Sequence, residues 1–401
     1  MLINSVKNYN SFVSTNKTRN NRNFCGKFDG LKNILDIRGS ETSAKVFTDN
    51  IDYKTYAQIK NICSHPVFRH EKIRIMPDAH SGKTAVVGFT APVKIEKGVI
   101  PSLISGDIGC GMLCIELDTK GQQIDFEALD NVVKTYISGE RIKTPTVLNK
   151  YGKQIDSRID SLCKDYKVSS QKSLTTLGTL GGGNHFIEID KDKAGKTFLV
   201  IHTGSRAFGK EVFNHYDKIA REQNPYKLRD LSYLTNDEAK QYLDDMKIAI
   251  KYSQLNRRII ADEILKQMGW KEKSSFETIH NYISSDGIMR KGAIESNNGE
   301  KLLIPLNMKD GAIIGTGKGN PEWNNSAPHG AGRQFSRSEA SELIDLEDYQ
   351  KSMEGIYTTS VSKSTIDESP FAYKDANEII NRINDTAEID DIIKPIYNHK
   401  G

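Results

Sequence analysis

Apolar residues in this chain gather in short unbroken runs divided by polar, glycine-punctuated loops. Ile73-Arg74-Ile75-Met76, Ala85-Val86-Val87-Gly88-Phe89, Leu113-Cys114-Ile115-Glu116-Leu117 and Thr197-Phe198-Leu199-Val200-Ile201 have the length and β-branched content of buried strands. Lys301 to Pro305 reads the same way and leads through Leu306 to Gly311 into Ala312-Ile313-Ile314. Over 73–93 the pattern predicts strand, loop, strand, with Pro77 to Lys83 as the polar loop. Helical spacing is clearest over 232–268, where Ala239, Leu243, Met246 and Ile250 are followed by Ile259, Ile260, Ile264 and Met268. Thr235-Asn236-Asp237-Glu238 supplies capping chemistry at its start and Gly269 a stop at its end. Residues 124–175 also have helical spacing with basic decoration, a helix begins near Ser338, and a last helical piece covers about Asp375 to Asn384. Residues 31–70 alternate short helical and loop signals.

No internal repeat or low-complexity linker interrupts this order, which favours one continuous body. The exception is the start: over residues 1–30, Lys7, Lys17, Arg19, Arg22 and Lys27 stand against Asp29 among many Asn and Ser, a basic and loosely ordered segment. The 401 residues are 37% hydrophobic and 27% charged, the balance of an ordinary soluble globular protein, and the net charge of +4 permits a polyanionic partner without arguing for one. Five scattered cysteines make no disulfide framework. With no signal peptide and no apolar run long enough to span a bilayer, the reading is a cytoplasmic protein whose thiols are reduced.

Candidate chemistry lies in the loops. In Ser326-Ala327-Pro328-His329-Gly330-Ala331-Gly332-Arg333, one imidazole sits among small residues with a guanidinium four positions on. Glycine backbone can approach a ligand closely, and an arginine fork matches phosphate oxygens. His329 can serve there as base, ligand or nucleophile, or simply occupy a turn. The turn at Asp107-Ile108-Gly109-Cys110 offers a carboxylate and a thiolate to one ion, a mixed pair that points to a transition metal in a catalytic role. Leu177 to Glu188 puts a glycine run before Asn184-His185 and a strand, on which alternation sets Asn184, Phe186 and Glu188 on one side and His185 on the other. His202 ends another strand, and His280-Asn281 repeats the pairing. Asp78 in the 77–83 loop reads equally as a capping residue or a site residue. Four histidines, one Asp and one Cys exceed the needs of one open mononuclear site, which suggests two metals, or a metal and a nucleophile.

In order along the chain, GDIGCGM, LGTLGGGNHFIEI, HTGSR, HN, RKGA, HGAGR and a terminal Lys-Gly resemble the RtcB family of RNA-splicing ligases, from about Ile73 to Gly401. The resemblance implies a mixed α/β (α+β) fold: a single large domain over 31–401 whose central β-sheets line a metal-containing cleft, with helices outside. It implies Asp107, Cys110, His185, His202 and His280 as ligands of two manganese ions, with Cys110 bridging. His329 falls on the histidine that the α-phosphate of GTP guanylylates. Asn184, His185, Phe186, Ile187, Glu188, His280, Asn281, Pro305, Leu306, Asn307, Met308, His329, Gly330, Ala331, Gly332, Arg333, Tyr373 and Lys400 fall on guanine-nucleotide-binding positions. The implied reaction joins an RNA 2′,3′-cyclic phosphate or 3′-phosphate end to a 5′-hydroxyl end, in tRNA splicing or RNA repair. A monomer is expected, with room for an activating protein partner. Met289 before Arg290 and the stretch Leu306 to Ala312 depart from the family pattern and mark a divergent paralogue. Guanylyl transfer without sealing, a metallo-phosphoesterase and an inactive RNA-binding relative are the alternatives.

Overall fold

The computed structural model describes residues 34–137 and 175–401. The basic segment 1–30 and most of the 124–175 helical stretch lie outside the described residues. Two sheets and a small ribbon carry the architecture. The first sheet runs β1 (Leu35–Arg38), β2 (Ser43–Val46), β3 (Ile73–His80), β4 (Val87–Pro92), β10 (Ile288–Lys291) and β9 (Asn281–Ile283) in spatial order. The second runs β12 (Lys301–Asn307), β13 (Gly311–Gly317), β16 (Ala387–Lys400), β6 (Phe186–Lys191), β7 (Thr197–Thr203), β5 (Gly111–Asp118) and β8 (Lys271–Ile279), with β15 (Tyr357–Thr358) beside β16. The ribbon pairs β11 (Ala293–Glu295) with β14 (Ser326–Pro328). The family-type mixed α/β expectation is met, with antiparallel pairing throughout the second sheet apart from β15.

Side-chain alternation divides the second sheet into two faces. Leu113, Ile115, Ile187, Ile189, Leu199 and Ile201 point to one face, into a core closed by helices. Met112, Cys114, Phe186, Phe198 and Val200 point to the other, toward β12 and β13. Because both faces are covered, the strands read as continuous apolar runs in the sequence.

Helix α1 (Tyr53–Cys63) and helix α3 (Arg206–Gln223) cover the first sheet, while helix α2 (Phe126–Tyr136) packs on the second. Helix α4 (Asn236–Met268) serves both. Its 33 residues span about 50 Å at 1.5 Å per residue. Tyr242, Met246, Ala249 and Tyr252 enter the first core, and Ile260, Ala261, Ile264 and Leu265 the second. Gly269 ends α4 as expected, in the left-handed region at φ +68°. Thr235 is its N-cap but makes no side-chain capping bond; Asp237 and Glu238 instead place negative charge on the first turn.

Three local expectations need correcting. Residues 34–70 carry β1 and β2 as well as a helix, since Leu35–Arg38 and Ser43–Val46 are too short to show a period. The strand β3 continues through Pro77 to His80, with its register to β4 broken between Ile75 and His80, so the expected loop begins only at Ser81. The sequence around Lys394 to Lys400, where a penultimate lysine is normally solvent decoration, instead forms the end of β16, which lies inside the sheet between β13 and β6. The later helices agree more closely, as α5 (Arg337–Leu343), α6 (Leu346–Ser352) and α7 (Ala376–Ile380).

Candidate active site and metal centre

Four adjacent strands of the second sheet bring the metal-type donors to one edge. In the order β6, β7, β5, β8 the strands alternate in direction, so a strand start lies beside a strand end. His185 immediately precedes β6, His202 is the penultimate residue of β7, Cys110 immediately precedes β5 and His280 follows β8. The backbone N–H of His280 donates to the Cys110 carbonyl at 2.9 Å. Two triads result, Asp107–Cys110–His185 and Cys110–His202–His280, each with its donor atoms within 4.8 Å of one another. Cys110 belongs to both. Its Sγ lies 3.6 Å from His185 Nε2 and 3.3 Å from His202 Nε2, and His202 Nε2 lies 3.5 Å from His280 Nε2. Gly204 makes room for Asp107, since a Cβ there would stand 2.3 Å from Asp107 Oδ1.

The donor set fits a cation. His185 Nδ1 is bonded to the Leu180 carbonyl at 3.0 Å and His202 Nδ1 to the Asn184 carbonyl at 3.1 Å. A carbonyl only accepts, so both Nδ1 atoms carry the proton and both Nε2 lone pairs aim at the thiol sulfur. Burial, reinforced by the neighbouring His185, pushes His202 well below the usual imidazole range; burial and the His329 ring do the same to His280. Both are therefore neutral, the form that ligates. Burial raises the Cys110 thiol and nearby Asp107 raises it further. A carboxylate, a sulfur and imidazole lone pairs crowded this closely are complementary to positive charge.

His329 follows β14, and its ring centroid lies 4.9 Å from that of His280. Its Nδ1 is 2.6 Å from Asp78 Oδ2, and the same oxygen accepts the backbone N–H groups of His329 at 3.0 Å and Gly330 at 3.3 Å. The fully buried Asp78 is an acceptor there, so Nδ1 donates and Nε2 is the ring nitrogen left free. Asp78 is held in turn by the buried Lys374, whose Nζ donates to the carbonyls of Asn50, Ala79 and Pro77 at 2.9, 2.8 and 3.4 Å.

A cavity of about 810 Å³ opens over these groups. His202, His329 and Met112 line it together with Asn184, Phe186, Glu188, residues 305–308, residues 330–337, Tyr373 and Lys400. A model of the family described as tRNA-splicing ligase RtcB matches residues 58–401. The chain belongs to the RtcB family. The RNA-splicing ligase RtcB of Escherichia coli K12 is 28% identical, with 89% of this chain and 97% of that protein covered. The tRNA-splicing ligase RtcB of Methanococcus maripaludis is 25% identical, over 88% and 92% of the two chains, and that of Pyrobaculum aerophilum 27%, over 76% and 82%.

Most residues singled out by the RtcB resemblance meet at this one cleft. Ile187, Asn281, Asp107, Cys110, His185 and His280 do not line it. Ile187 is buried in the helix-side core. Asn281 instead braces the loops, its Nδ2 donating to the Asp107 carbonyl at 3.3 Å and its Oδ1 accepting from Gly292 N at 3.0 Å. The expected two-sided split at Asn184 to Glu188 is also corrected. His185 lies before β6, so strand alternation does not govern it, and its ring meets Cys110 and His202, the latter a residue that Phe186 also packs against. Arg333 lines the cavity, but its fork engages Glu368, the Asp367 carbonyl and the Phe335 carbonyl, with its guanidinium over the Tyr373 ring at 5.2 Å.

Glu368, unmarked in the sequence, collects the cations at this end. Arg333 and Lys400 reach it at 3.2 Å and Arg337 at 2.7 Å, and Tyr373 Oη donates to it. Burial alone would raise its carboxyl; Lys400 and Arg337 outweigh that and hold it at about 2. The segment Met289–Ala293 is buried as well. Lys291 donates to Ser105 Oγ at 3.2 Å, and burial pushes its ammonium down to about 8 against the pull of Asp107. Asp78, Lys374 and Glu368 are the residues that sequence reading left open or passed over. For Asp78 the signal was its place beside His80 in a polar stretch between two apolar runs.

Proposed function

We propose that the protein is a GTP- and manganese-dependent RNA ligase. It joins RNA 2′,3′-cyclic phosphate or 3′-phosphate ends to 5′-hydroxyl ends through a guanylylated His329, in tRNA splicing or RNA repair. The observation that carries this reading is the Asp78–His329 pair, which leaves Nε2 of a half-buried histidine free beside the metal-type triads. The names of the relatives supply the substrate class.

The steps follow from the groups present. His329 Nε2 attacks the α-phosphorus of GTP, an N–P bond forms, and pyrophosphate leaves with the electrons of the broken P–O bond. The imidazole of that adduct is positively charged, and Asp78 at 2.6 Å stabilises it through Nδ1–H. Water attacks the phosphorus of the RNA cyclic phosphate and the P–O2′ bond breaks, leaving a 2′-hydroxyl and a 3′-phosphate, whose oxygen then takes the guanylyl group as the N–P bond breaks. Attack by the 5′-hydroxyl on the activated 3′-phosphorus releases GMP and forms the phosphodiester. Asp107, Cys110, His185, His202 and His280 would hold two manganese ions, which would supply positive charge against the triphosphate and lower the pKa of a coordinated hydroxyl. Tyr373, Lys400 and Glu188 are assigned to the base, and the glycine backbone of 330–332 to the phosphates. We take 31–401 as the catalytic body and 1–30 as a basic leading segment, in a monomer acting in the reducing cytoplasm, where Cys110 stays a free thiol.

Incubation with α-labelled GTP and Mn²⁺, followed by addition of RNA with 3′-phosphate and 5′-hydroxyl ends, tests the reading. Acid-labile label on the protein and sealed RNA are expected, and both vanish in His329→Ala. Label that survives His329→Ala overturns the nucleophile. Label without sealing favours a guanylyl-capping transferase, and neither signal favours an inactive RNA-binding paralogue.

A further inference from the structure

At the junction between its two apolar halves, α4 carries three fully buried polar residues, Ser253, Asn256 and Arg257. Steps of three and four residues place them on one stripe of the helix. A buried guanidinium is costly unless every donor is used. Here Arg257 Nη1 donates to the carbonyls of Gly109 at 3.0 Å and Thr203 at 2.6 Å, and Nε donates to Glu277 Oε1 at 2.5 Å. Ser253 Oγ lies 2.8 Å from the Gly109 carbonyl. Asn256 Oδ1 accepts the N–H groups of Gly178 at 2.5 Å and Thr179 at 3.2 Å. Its Nδ2 lies 3.2 Å from the Thr179 carbonyl and 3.3 Å from that of Gly204.

The positions of these partners are what matter. Gly109 precedes Cys110, and Thr203 follows His202. The Gly178–Thr179 turn leads to Leu180, whose carbonyl fixes the His185 ring. Glu277 lies on β8, three residues before His280. The stripe therefore reaches every segment that supplies a metal-type donor. Buried polar residues that merely satisfied nearby backbone would have no reason to select these four segments.

We propose that Ser253, Asn256 and Arg257 form one clamp that sets the separation of the Asp107–Cys110–His185 and Cys110–His202–His280 triads. They act as positioning residues for a two-metal centre, and the proposal rests on the metal reading given above. A single Nη1 bridging the Gly109 and Thr203 carbonyls ties β5 to β7 at their ligand-bearing ends. A lysine, with no planar fork, keeps the charge but cannot make that bridge together with the Glu277 contact.

The test uses the full chain and two readouts besides activity. Mn²⁺ affinity is measured from the electron paramagnetic resonance signal of free Mn²⁺, and thiolate ligation from the charge-transfer absorption of the Co²⁺-loaded protein. Arg257→Lys is expected to weaken binding at both triads by about 10- to 100-fold, the usual effect of losing an outer partner of metal ligands, and to shift the cobalt–thiolate band. Ser253→Ala and Asn256→Ser are expected to weaken it less, in the same direction. Cys110→Ala should abolish the band. Should Arg257→Lys fail to fold, the milder pair decides. Wild-type affinity and cobalt spectra in the folded variants would overturn the clamp, whatever their melting temperatures. A wild-type protein that binds neither ion would overturn the metal reading itself, and the clamp with it.

Discussion

Asp78 and His329 stand 251 positions apart in the chain and meet with Oδ2 and Nδ1 2.6 Å from each other. The contact decides which nitrogen of His329 is free, so it governs the chemistry more directly than either residue type does alone. Asp78→Asn keeps the size of the side chain but cannot balance a charged imidazole. We predict that it slows self-guanylylation at least about 100-fold, on the scale of losing one preorganised electrostatic partner, while Mn²⁺ binding is unchanged. The rate of label transfer from α-labelled GTP checks this, and a wild-type rate would sink it.

The shared sulfur makes a distinct prediction about stoichiometry. Cys110 belongs to both triads, whereas Asp107 and His280 belong to one each. Metal analysis after dialysis against Mn²⁺ should show two ions in the wild type and one in Asp107→Ala or His280→Ala. Cys110→Ala should retain close to none. Retention of one firmly held ion in Cys110→Ala would argue against a bridging role.

Glu368 ties stability to pH. Its carboxyl is lowered from 4.5 to about 2 by the cations around it. A depressed carboxylate contributes stability above its unfolded-state pKa, and that contribution disappears as pH falls through the folded value. The stabilisation, about 3 kcal/mol from a shift of this size, should be lost between pH of about 4.5 and 2. Glu368→Gln should lack this acid-dependent component and be less stable at neutral pH, because Arg333 and Lys400 lose a buried counter-charge. Denaturant titrations of both proteins across that range measure the difference; parallel pH profiles would contradict it.

A substitution at Lys400 should separate the proposed nucleotide binding from metal binding. Its Nζ lies 3.2 Å from Glu368 and 5.0 Å from the centroid of the Phe186 ring, at the edge of the cavity. Lys400→Met keeps the aliphatic stem and removes the charge. Affinity for GTP should fall by about tenfold or more, the scale of one hydrogen bond to a charged group, with Mn²⁺ content unaltered. A fluorescent guanine nucleotide titration checks it, and unchanged affinity would remove Lys400 from the base-binding group.

The sequence alone determined the parts that depend on local rules. Runs such as Thr197–Ile201 read as strands buried on both sides, and the spacing over 232–268 gives the helix Asn236–Met268 that stops at Gly269, because period and capping are written in neighbouring residues. The donor types at Asp107, Cys110, His185, His202, His280 and His329 were legible through their motifs. Only the tertiary structure decided how they meet. The strand order β6-β7-β5-β8 is set by long-range pairing, and it is this order that places four donors at one sheet edge. The partners of those donors were hidden for the same reason. Asp78 reads equally as a capping or a site residue until β3 is packed beside His329, and Ser253, Asn256 and Arg257 carry no signal of their own until the segments they bond are folded around them. A side chain's type fixes which bonds it can make; which of those bonds it makes is set by packing between segments far apart in the chain.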